Sequence, residues 1–234
     1  PMIFSRAKNK EYGFLILEFV VLVLGFFISL QVNEWQNDRE NRELESQYLS
    51  RLENDFEKSI VALNESIDRI GRSVERLESG LTVLAKRERS EEDYPALFFA
   101  LQSSSLRGSF PVYFGTFEEL KDTGSMRLIE SSQLRESLGN VWQKHVAISK
   151  ISEVRNMLRG NTFPVMTSYV KPLEGNAITF DAEKVEEDPR ELYVALSIIR
   201  TNLENDLTDS EAMLTLIEEA LGVLRQDAAY APSI

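Results

Sequence analysis

The side chains that most enzymes use for proton transfer and nucleophilic attack are scarce in this chain. Its 234 residues include one histidine, His145, and no cysteine. These counts exclude multi-histidine metal sites, thiolate nucleophiles, disulfides and metal sites that need sulfur. Neighbouring carboxylates such as Glu118 and Glu119 point to different sides of a helix, so they make poor acid–base pairs. We therefore expect no enzymatic activity, no cofactor and no bound metal.

His145 itself allows two interpretations. It falls on the apolar stripe of a predicted helix, where a single histidine is more often a packed core residue than a ligand. Because imidazole titrates close to neutral pH, His145 is also the natural candidate for a pH-sensitive group. Both interpretations stay open at this point.

The charge balance limits the class of partner. Lys and Arg number 26 against 38 Asp and Glu, which gives a formal net charge of -12. A surface of this charge repels phosphate groups, so the sequence predicts that the protein does not bind nucleic acid. Residues 1–32 contain three basic and two acidic side chains, so the acidic excess belongs to the rest of the chain. We expect a solvated acidic surface there rather than a calcium site, since no D-x-D-x-D-G loop is present.

Residues 13–32 predict one transmembrane helix that contacts the lipid bilayer. The stretch GFLILEFVVLVLGFFISL carries a single charge and has the length that a helix needs to cross a membrane. Tyr12 and Trp35 flank it about 34 Å apart at 1.5 Å per residue, so both are predicted interface anchors at the headgroup layers. The alternative is a cleavable signal peptide. The length of the stretch and the absence of an A-x-A-like site disfavour that alternative.

The basic residues set the expected orientation. Arg6, Lys8 and Lys10 lie close to the apolar stretch, whereas the basic residues after it are mixed with more numerous acids. The positive-inside rule then predicts that the N-terminus is cytoplasmic. We expect a short cytoplasmic tail over residues 1–12 and, in a bacterial inner membrane, a periplasmic location for the bulk of the chain.

One face of the predicted membrane helix is mostly polar or small. Its members follow the spacing i, i+4, i+7, i+11 and i+15: Glu18, Leu22, Gly25, Ser29 and Asn33. Gly25 and Ser29 form a small-xxx-small pair that lets two helices approach, and Glu18 then meets protein instead of lipid. The favoured interpretation is a homo-oligomer that associates through this face. Snorkelling or protonation of Glu18 in a lipid-exposed helix is the alternative.

The membrane helix is predicted to continue as a polar stalk over residues 33–55, followed by an extramembrane helical bundle over residues 56–234. Apolar residues recur there in steps of three and four, which is typical of a packed helix seam. The predicted seam consists of Leu44, Tyr48, Leu52, Phe56, Ile60, Leu63, Ile67, Ile70, Val74, Leu77, Leu81 and Leu84. Because more amphipathic helices follow, an intramolecular antiparallel bundle is favoured over a parallel coiled coil. Gly71 and Gly80 are interpreted as tolerated glycines or mild bends.

Two short helices are predicted after this seam. Pro95 is placed to open the first. Its candidate core residues are Leu97, Phe98, Phe99 and Leu101. Thr116 and Glu119 form a capping-box pattern at the start of the second, which Gly124 helps to end.

Two long amphipathic helices complete the predicted all-α fold. The first covers about residues 131–159, and Pro164 and Pro172 are expected to punctuate a shorter helical piece after it. Its predicted buried stripe is Leu134, Leu138, Val141, Trp142, His145, Ile148, Ile151 and Val154. The second long helix is capped by Asp188, with Pro189 at its first position, and stays amphipathic to about residue 226. The segments FPVYF and AITF are the candidates for a short strand pairing.

Parts of the chain resemble a widespread bacterial family of uncharacterised proteins with one N-terminal span. The resemblance rests on Glu18 early in the span, a Q-V-N-x-W exit at residues 31–35 and a Y-L-x-R-L motif at residues 48–52. The later stretch TFEELKDTGSMRLIE, residues 116–130, is similar to that family's second recurrent segment. The resemblance implies the single-span helical architecture. It implies no function, because the family has no assigned activity.

Three functions are compatible with these observations. The favoured one is a structural or assembly subunit of an inner-membrane complex, with itself and with other membrane subunits as partners. The first alternative is an ion-conducting or proton-sensing homo-oligomer that uses Glu18. The second alternative is a periplasmic sensor or ligand-binding bundle.

Overall fold

The structure, a computed structural model, describes the backbone of residues 4–106, 108, 110–172 and 178–230, and the side chains of residues 18–106, 108, 110–171 and 179–227. The chain divides into two compact units, residues 1–49 and 50–234. The predicted all-α fold is confirmed, because long helices dominate both units and the described strands are three residues each.

The first helix, α1, runs from Phe4 to Leu84 without a break. The sequence contains no proline between residues 2 and 94, so each backbone N–H in the helix interior can donate to the preceding turn. The predicted continuation of the apolar helix into the following helix is therefore confirmed. Its N-terminal part is long and apolar enough to cross a membrane.

The part of α1 in the second unit packs through a seam that differs in part from the predicted one. Two rows of buried residues, each with a spacing of seven, alternate along it. The first row is large: Phe56, Leu63, Ile70, Leu77 and Leu84. The second row starts at Leu52 and then becomes small: Ser59, Ser66, Ser73 and Gly80. The predicted members Ile60, Ile67 and Val74 lie beside the seam and are half-buried, because the serines hold the seam positions.

The small row lets neighbouring segments approach the backbone of α1. The Ser59 hydroxyl donates to the carbonyl of Asp55 at 2.7 Å and accepts the backbone N–H of Tyr113 at 2.8 Å. A Cβ built on Gly80 would lie 2.4 Å from the Cβ of Ala100. Gly80 is therefore a close contact between helices, and its interpretation as a tolerated glycine or mild bend is wrong.

Helix α2 spans Tyr94–Ser104, with proline in its first turn as predicted. Leu97 and Ala100 are fully buried against the other helices. Phe99 is 47% exposed, and the guanidinium of Arg76 lies 5.7 Å from its ring centroid. The prediction of Phe99 as a core residue is wrong because it lies on the outer side of the helix.

Helix α3 spans Gly115–Asp122 and is capped by another helix. Thr116 lies inside its first turn, and its backbone N–H donates to the Asp55 carboxylate of α1 at 3.1 Å. The predicted capping box at Thr116 and Glu119 is wrong, since a carboxylate from α1 takes the role of the cap. Gly124, at a φ of 70°, follows the end of the helix in the left-handed conformation that glycine tolerates best.

Helix α4 spans Ser132–Thr167, and the Ser131 hydroxyl caps it by accepting the N–H of Leu134 at 3.2 Å. The helix continues through Pro164, so the predicted separate piece after residue 159 is wrong. Pro164 deprives the carbonyl of Gly160 of its donor, and Gly160 is exposed, so water can satisfy that carbonyl.

A two-stranded sheet follows α4. Strand β1, Val170–Pro172, pairs antiparallel with β2, Ile178–Phe180, in a register that places Val170 opposite Phe180. The prediction that AITF pairs with FPVYF is wrong, because the segment just before it in the chain supplies the partner strand at a lower loop-closure cost. A short helix, α5 (Ala182–Glu187), is also present and was not predicted.

Helix α6 spans Arg190–Tyr230, and the Asp188 carboxylate accepts the N–H of Arg190 at 3.1 Å, as predicted for its cap. Arg200 pairs with Glu78, and Arg225 pairs with Glu53. Since the order of these partners along α1 is reversed, α6 is antiparallel to this part of α1. The core at the Leu84 end of α1 also contains the C-terminal part of α4 and the N-terminal part of α6, so α4 is antiparallel to α6.

Replacing Gly80 with alanine should destabilise the second unit. The new methyl group would overlap Ala100, and overpacking of this kind costs about 1–3 kcal/mol. Gly71→Ala is the matched control, because a Cβ there would meet nothing within 4 Å and alanine favours the helix by up to about 1 kcal/mol. Urea unfolding followed by circular dichroism should rank Gly71→Ala at or above the wild type and Gly80→Ala below it. Equal midpoints for the two variants would contradict the close contact.

Candidate functional sites

The predicted oligomer face lies on the first unit's part of α1. Glu18, Leu22, Gly25, Ser29 and Asn33 are all exposed, and their spacing puts them on one side of the helix. A Cβ built on Gly25 would meet no atom within 4 Å. The hydroxyl of Ser29 donates to the carbonyl of Gly25 at 2.9 Å, so it keeps only its acceptor capacity for a second helix. Association through this face stays a prediction.

Of the two predicted interface anchors, Trp35 is the one whose side chain the structure describes. The Trp35 side chain is 67% exposed, as a ring in contact with headgroups must be. The side chain of Tyr12 lies outside the described residues. The anchoring of both rings stays a prediction.

His145 lies on α4 within a group of aromatic rings. Its ring centroid is 4.6 Å from that of Phe114 and 6.2 Å from that of Trp142. Phe117 extends the group at 5.4 Å from Trp142. Burial lowers the pKa of His145 below its ordinary value, and the negative charge of Glu118 opposes this effect only in part. These surroundings favour a neutral, packed imidazole.

A group of charged side chains joins α4 to α6, and none of them was proposed as a site from the sequence. We call it the ionic cluster: Lys144, Arg155, Arg159, Asp206 and Asp209. Nη1 of Arg155 donates to Oδ1 of Asp206 and to Oδ2 of Asp209, at 2.8 Å each. Nη2 of Arg159 lies 2.8 Å from Oδ2 of Asp206. Nζ of Lys144 completes the group at 3.7 Å from Oδ1 of Asp209.

The ionic cluster is deeply buried at its centre. The side chain of Asp206 is 0% exposed and that of Arg159 is 5% exposed. The backbone of Gly108 packs on Asp206 so closely that a Cβ would lie 2.1 Å from Oδ2. Burial by itself lowers the pKa of Arg155, but the hydrogen bonds from its guanidinium to Asp206 and Asp209 outweigh burial and raise it. The guanidinium therefore stays charged.

The ionic cluster occupies seam positions that an apolar pattern does not mark. The seam of α4 keeps its steps of three and four after Ile148 but becomes polar: Ser152, Arg155, Arg159 and Thr162. The seam of α6 does the same after Leu203: Asp206 and Ser210. Ile151 and Val154, the predicted continuation of the buried stripe, are 48% and 53% exposed. Polar residues that continue the spacing of an apolar repeat are the sequence pattern that indicates such a buried cluster.

No metal centre accompanies these features in the part of the chain that the structure describes. No three histidine, aspartate or glutamate side chains gather there into a group that could hold a metal ion. The carboxylates of the ionic cluster face arginine, which satisfies their charge. These carboxylates therefore take part in ion pairs that join α4 to α6.

Breaking the ionic cluster should cost far more than breaking a surface ion pair. Asp206→Ala leaves the buried guanidinium of Arg159 without its carboxylate, and the loss of one member of a buried pair typically costs about 3–5 kcal/mol. Glu57→Ala removes an exposed carboxylate beside Arg225 and should change little. Urea unfolding of the two variants measures the difference. A loss in Asp206→Ala no larger than that in Glu57→Ala would contradict the role of the cluster.

Acidification should destabilise the protein through His145. Because the pKa of this imidazole is lower in the folded state, the unfolded chain binds more protons as the pH falls below about 6.5. The free energy of unfolding should therefore decrease from there until the folded imidazole titrates as well. His145→Phe, which keeps a ring in the aromatic group, should flatten the pH dependence between about pH 7 and 5.5. If the free energy of unfolding of His145→Phe depended on pH as in the wild type, this role of His145 would be contradicted.

Three comparisons with known proteins give no relative for this chain. No protein-family model, no curated protein and no solved structure matches it. The resemblance to a bacterial single-span family, carried by residues 31–35 and 48–52, therefore stays a prediction.

Proposed function

We propose that the protein is a membrane-anchored, non-enzymatic helical protein that self-associates through its span and serves as a structural or assembly subunit of a bacterial inner-membrane complex. The observation that carries the proposal is the exposed face around Gly25, where an added Cβ would meet no atom within 4 Å. The proposal includes a cytoplasmic N-terminus and a periplasmic second unit. The basic residues before the apolar stretch support that orientation.

The chemistry of the exposed face favours a second helix over lipid. Lipid tails are as apolar as leucine, so helices associate in membranes through close packing and hydrogen bonds. Gly25 permits the close approach, and the side-chain amide of Asn33 can donate to the free lone pair of a neighbouring Ser29. Each such hydrogen bond contributes about 0.6–2 kcal/mol. Glu18 gains further, because a carboxyl group at a helix interface escapes hydrocarbon.

The scarcity of reactive side chains supports a role without catalysis. The whole sequence offers one histidine and no cysteine. The environment of that histidine is an aromatic group on α4 that lowers its pKa and packs its ring. A packed, neutral imidazole suits a structural role better than proton transfer at neutral pH.

Gly25→Leu should lower the oligomeric mass of the purified protein. The leucine side chain would fill the space through which two helices approach, while helicity and unfolding of the second unit should not change. Val23→Leu is the matched control, since residue 23 is about 200° away from Gly25 around the helix. Mass measurements in mild detergent should show a smaller oligomer for Gly25→Leu and the wild-type oligomer for Val23→Leu. Circular dichroism should show the same helicity for both variants.

One outcome would contradict self-association, and two others would favour the alternative function. A wild-type protein that is strictly monomeric in several mild detergents and in nanodiscs would remove self-association. Planar-bilayer currents that disappear in Glu18→Gln would instead support the alternative of an ion-conducting oligomer. A ring of identical chains with Glu18 at its axis would support the same alternative.

A further inference from the structure

Around the ionic cluster, buried donors without a hydrogen-bond partner outnumber buried acceptors without one. Among the described residues, nothing accepts a hydrogen bond from the buried atoms Nε and Nη1 of Arg159 and Nδ2 of Asn202. These three nitrogens carry five N–H bonds. The matching buried acceptor is Oδ2 of Asp206, which lies 2.8 Å from Nη2 of Arg159 without the alignment of a hydrogen bond. The described part of the seam therefore has too few acceptors for its buried donors.

The charges of the cluster leave a positive excess at its edge. Arg155 and Arg159 face the two carboxylates of Asp206 and Asp209, and Lys144, whose side chain is 38% exposed, adds a third positive charge beside Asp209. Buried donors without partners cost about 1–3 kcal/mol each. A group that accepts hydrogen bonds would remove this cost, and one negative charge on that group would offset the third positive charge.

The positions of the unpartnered groups bring them to the same part of the seam. Arg159 is joined to Asp206 by their ion pair and to Asn156 by a hydrogen bond of 2.6 Å from Nη2. Asn202 precedes Asp206 by one turn of α6, on the same face of the helix. Asn202 is buried as well, at 8% residue exposure.

We propose that the seam between α4 and α6 binds a compact monovalent anion, such as chloride or a small carboxylate. The free N–H groups of Arg159 and the side-chain amide of Asn202 are its donors. The ligand is small because Asp206 is fully buried and the backbone of Gly108 packs directly on its carboxylate. The anion site lies in the second unit and is independent of the proposed association of the membrane helix.

The test measures thermal unfolding of the full-length protein in detergent while chloride replaces gluconate at constant ionic strength. The melting temperature of the wild type should rise by a few degrees and saturate, since a ligand that binds only the folded state stabilises it. Arg225→Met should show the same rise, because this exposed arginine of α6 lies on the surface beside Glu53 and Glu57. Arg159→Met and Asn202→Leu should lose the rise.

Asn202→Leu keeps the test informative if Arg159→Met does not fold, because it removes the amide and leaves the ion pairs intact. A wild-type melting temperature that is equal in chloride and gluconate would overturn the proposal. A rise that persists unchanged in Asn202→Leu would overturn it as well.

Bromide gives a direct readout of the same site. Crystals of the protein grown in bromide should show an anomalous peak within about 3.5 Å of Nε or Nη1 of Arg159. An ordered water without an anomalous signal at this position would overturn the proposal, even if salt raises the melting temperature elsewhere.

Discussion

The alternation of large and small residues along α1 is the constraint on which the second unit depends. Where the large row buries apolar surface, the small row lets other segments reach the helix backbone. Ser59 accepts a hydrogen bond from the backbone N–H of residue 113, and α2 packs closely against Gly80. A larger side chain at these positions would push the chain between α1 and α4 away from the seam. The small residues of α1 thus position the short elements between α1 and α4 as much as its apolar side chains do.

The ionic cluster adds a second constraint, which concerns the alignment of α4 against α6 rather than the stability of their contact. Burying an ion pair costs desolvation energy that well-packed apolar residues avoid, so the cluster is weak as a source of stability. It nevertheless fixes how α4 meets α6. A slip of either helix by seven residues would separate Arg155 from Asp206 and place neither opposite a residue of opposite charge in the seam. A purely apolar seam has no such penalty.

The two units expose different surfaces. In the first unit, the apolar side chains from residue 19 to residue 32 are largely exposed on a helix that is long and apolar enough to cross a membrane. In the second unit, the long helices bury an apolar core. The proposed function relies on the polar side chains within and beside the apolar helix, because such groups gain most from contact with another helix.

The sequence by itself determined the helical fold, the apolar segment and several helix ends, because these depend on local periodicity and on caps such as Asp188. The tertiary structure alone decided which residues form the seams. Ser59, Gly80, Arg159 and Asp206 are buried because their partners on other elements match them in size or charge, and a single helix carries no record of those partners. The capping of α3 by Asp55 shows the same limit, since 61 residues separate the carboxylate from the N–H that it accepts. Interactions within a few residues can be inferred from a pattern, whereas those between distant segments depend on packing that forms only when the chain folds.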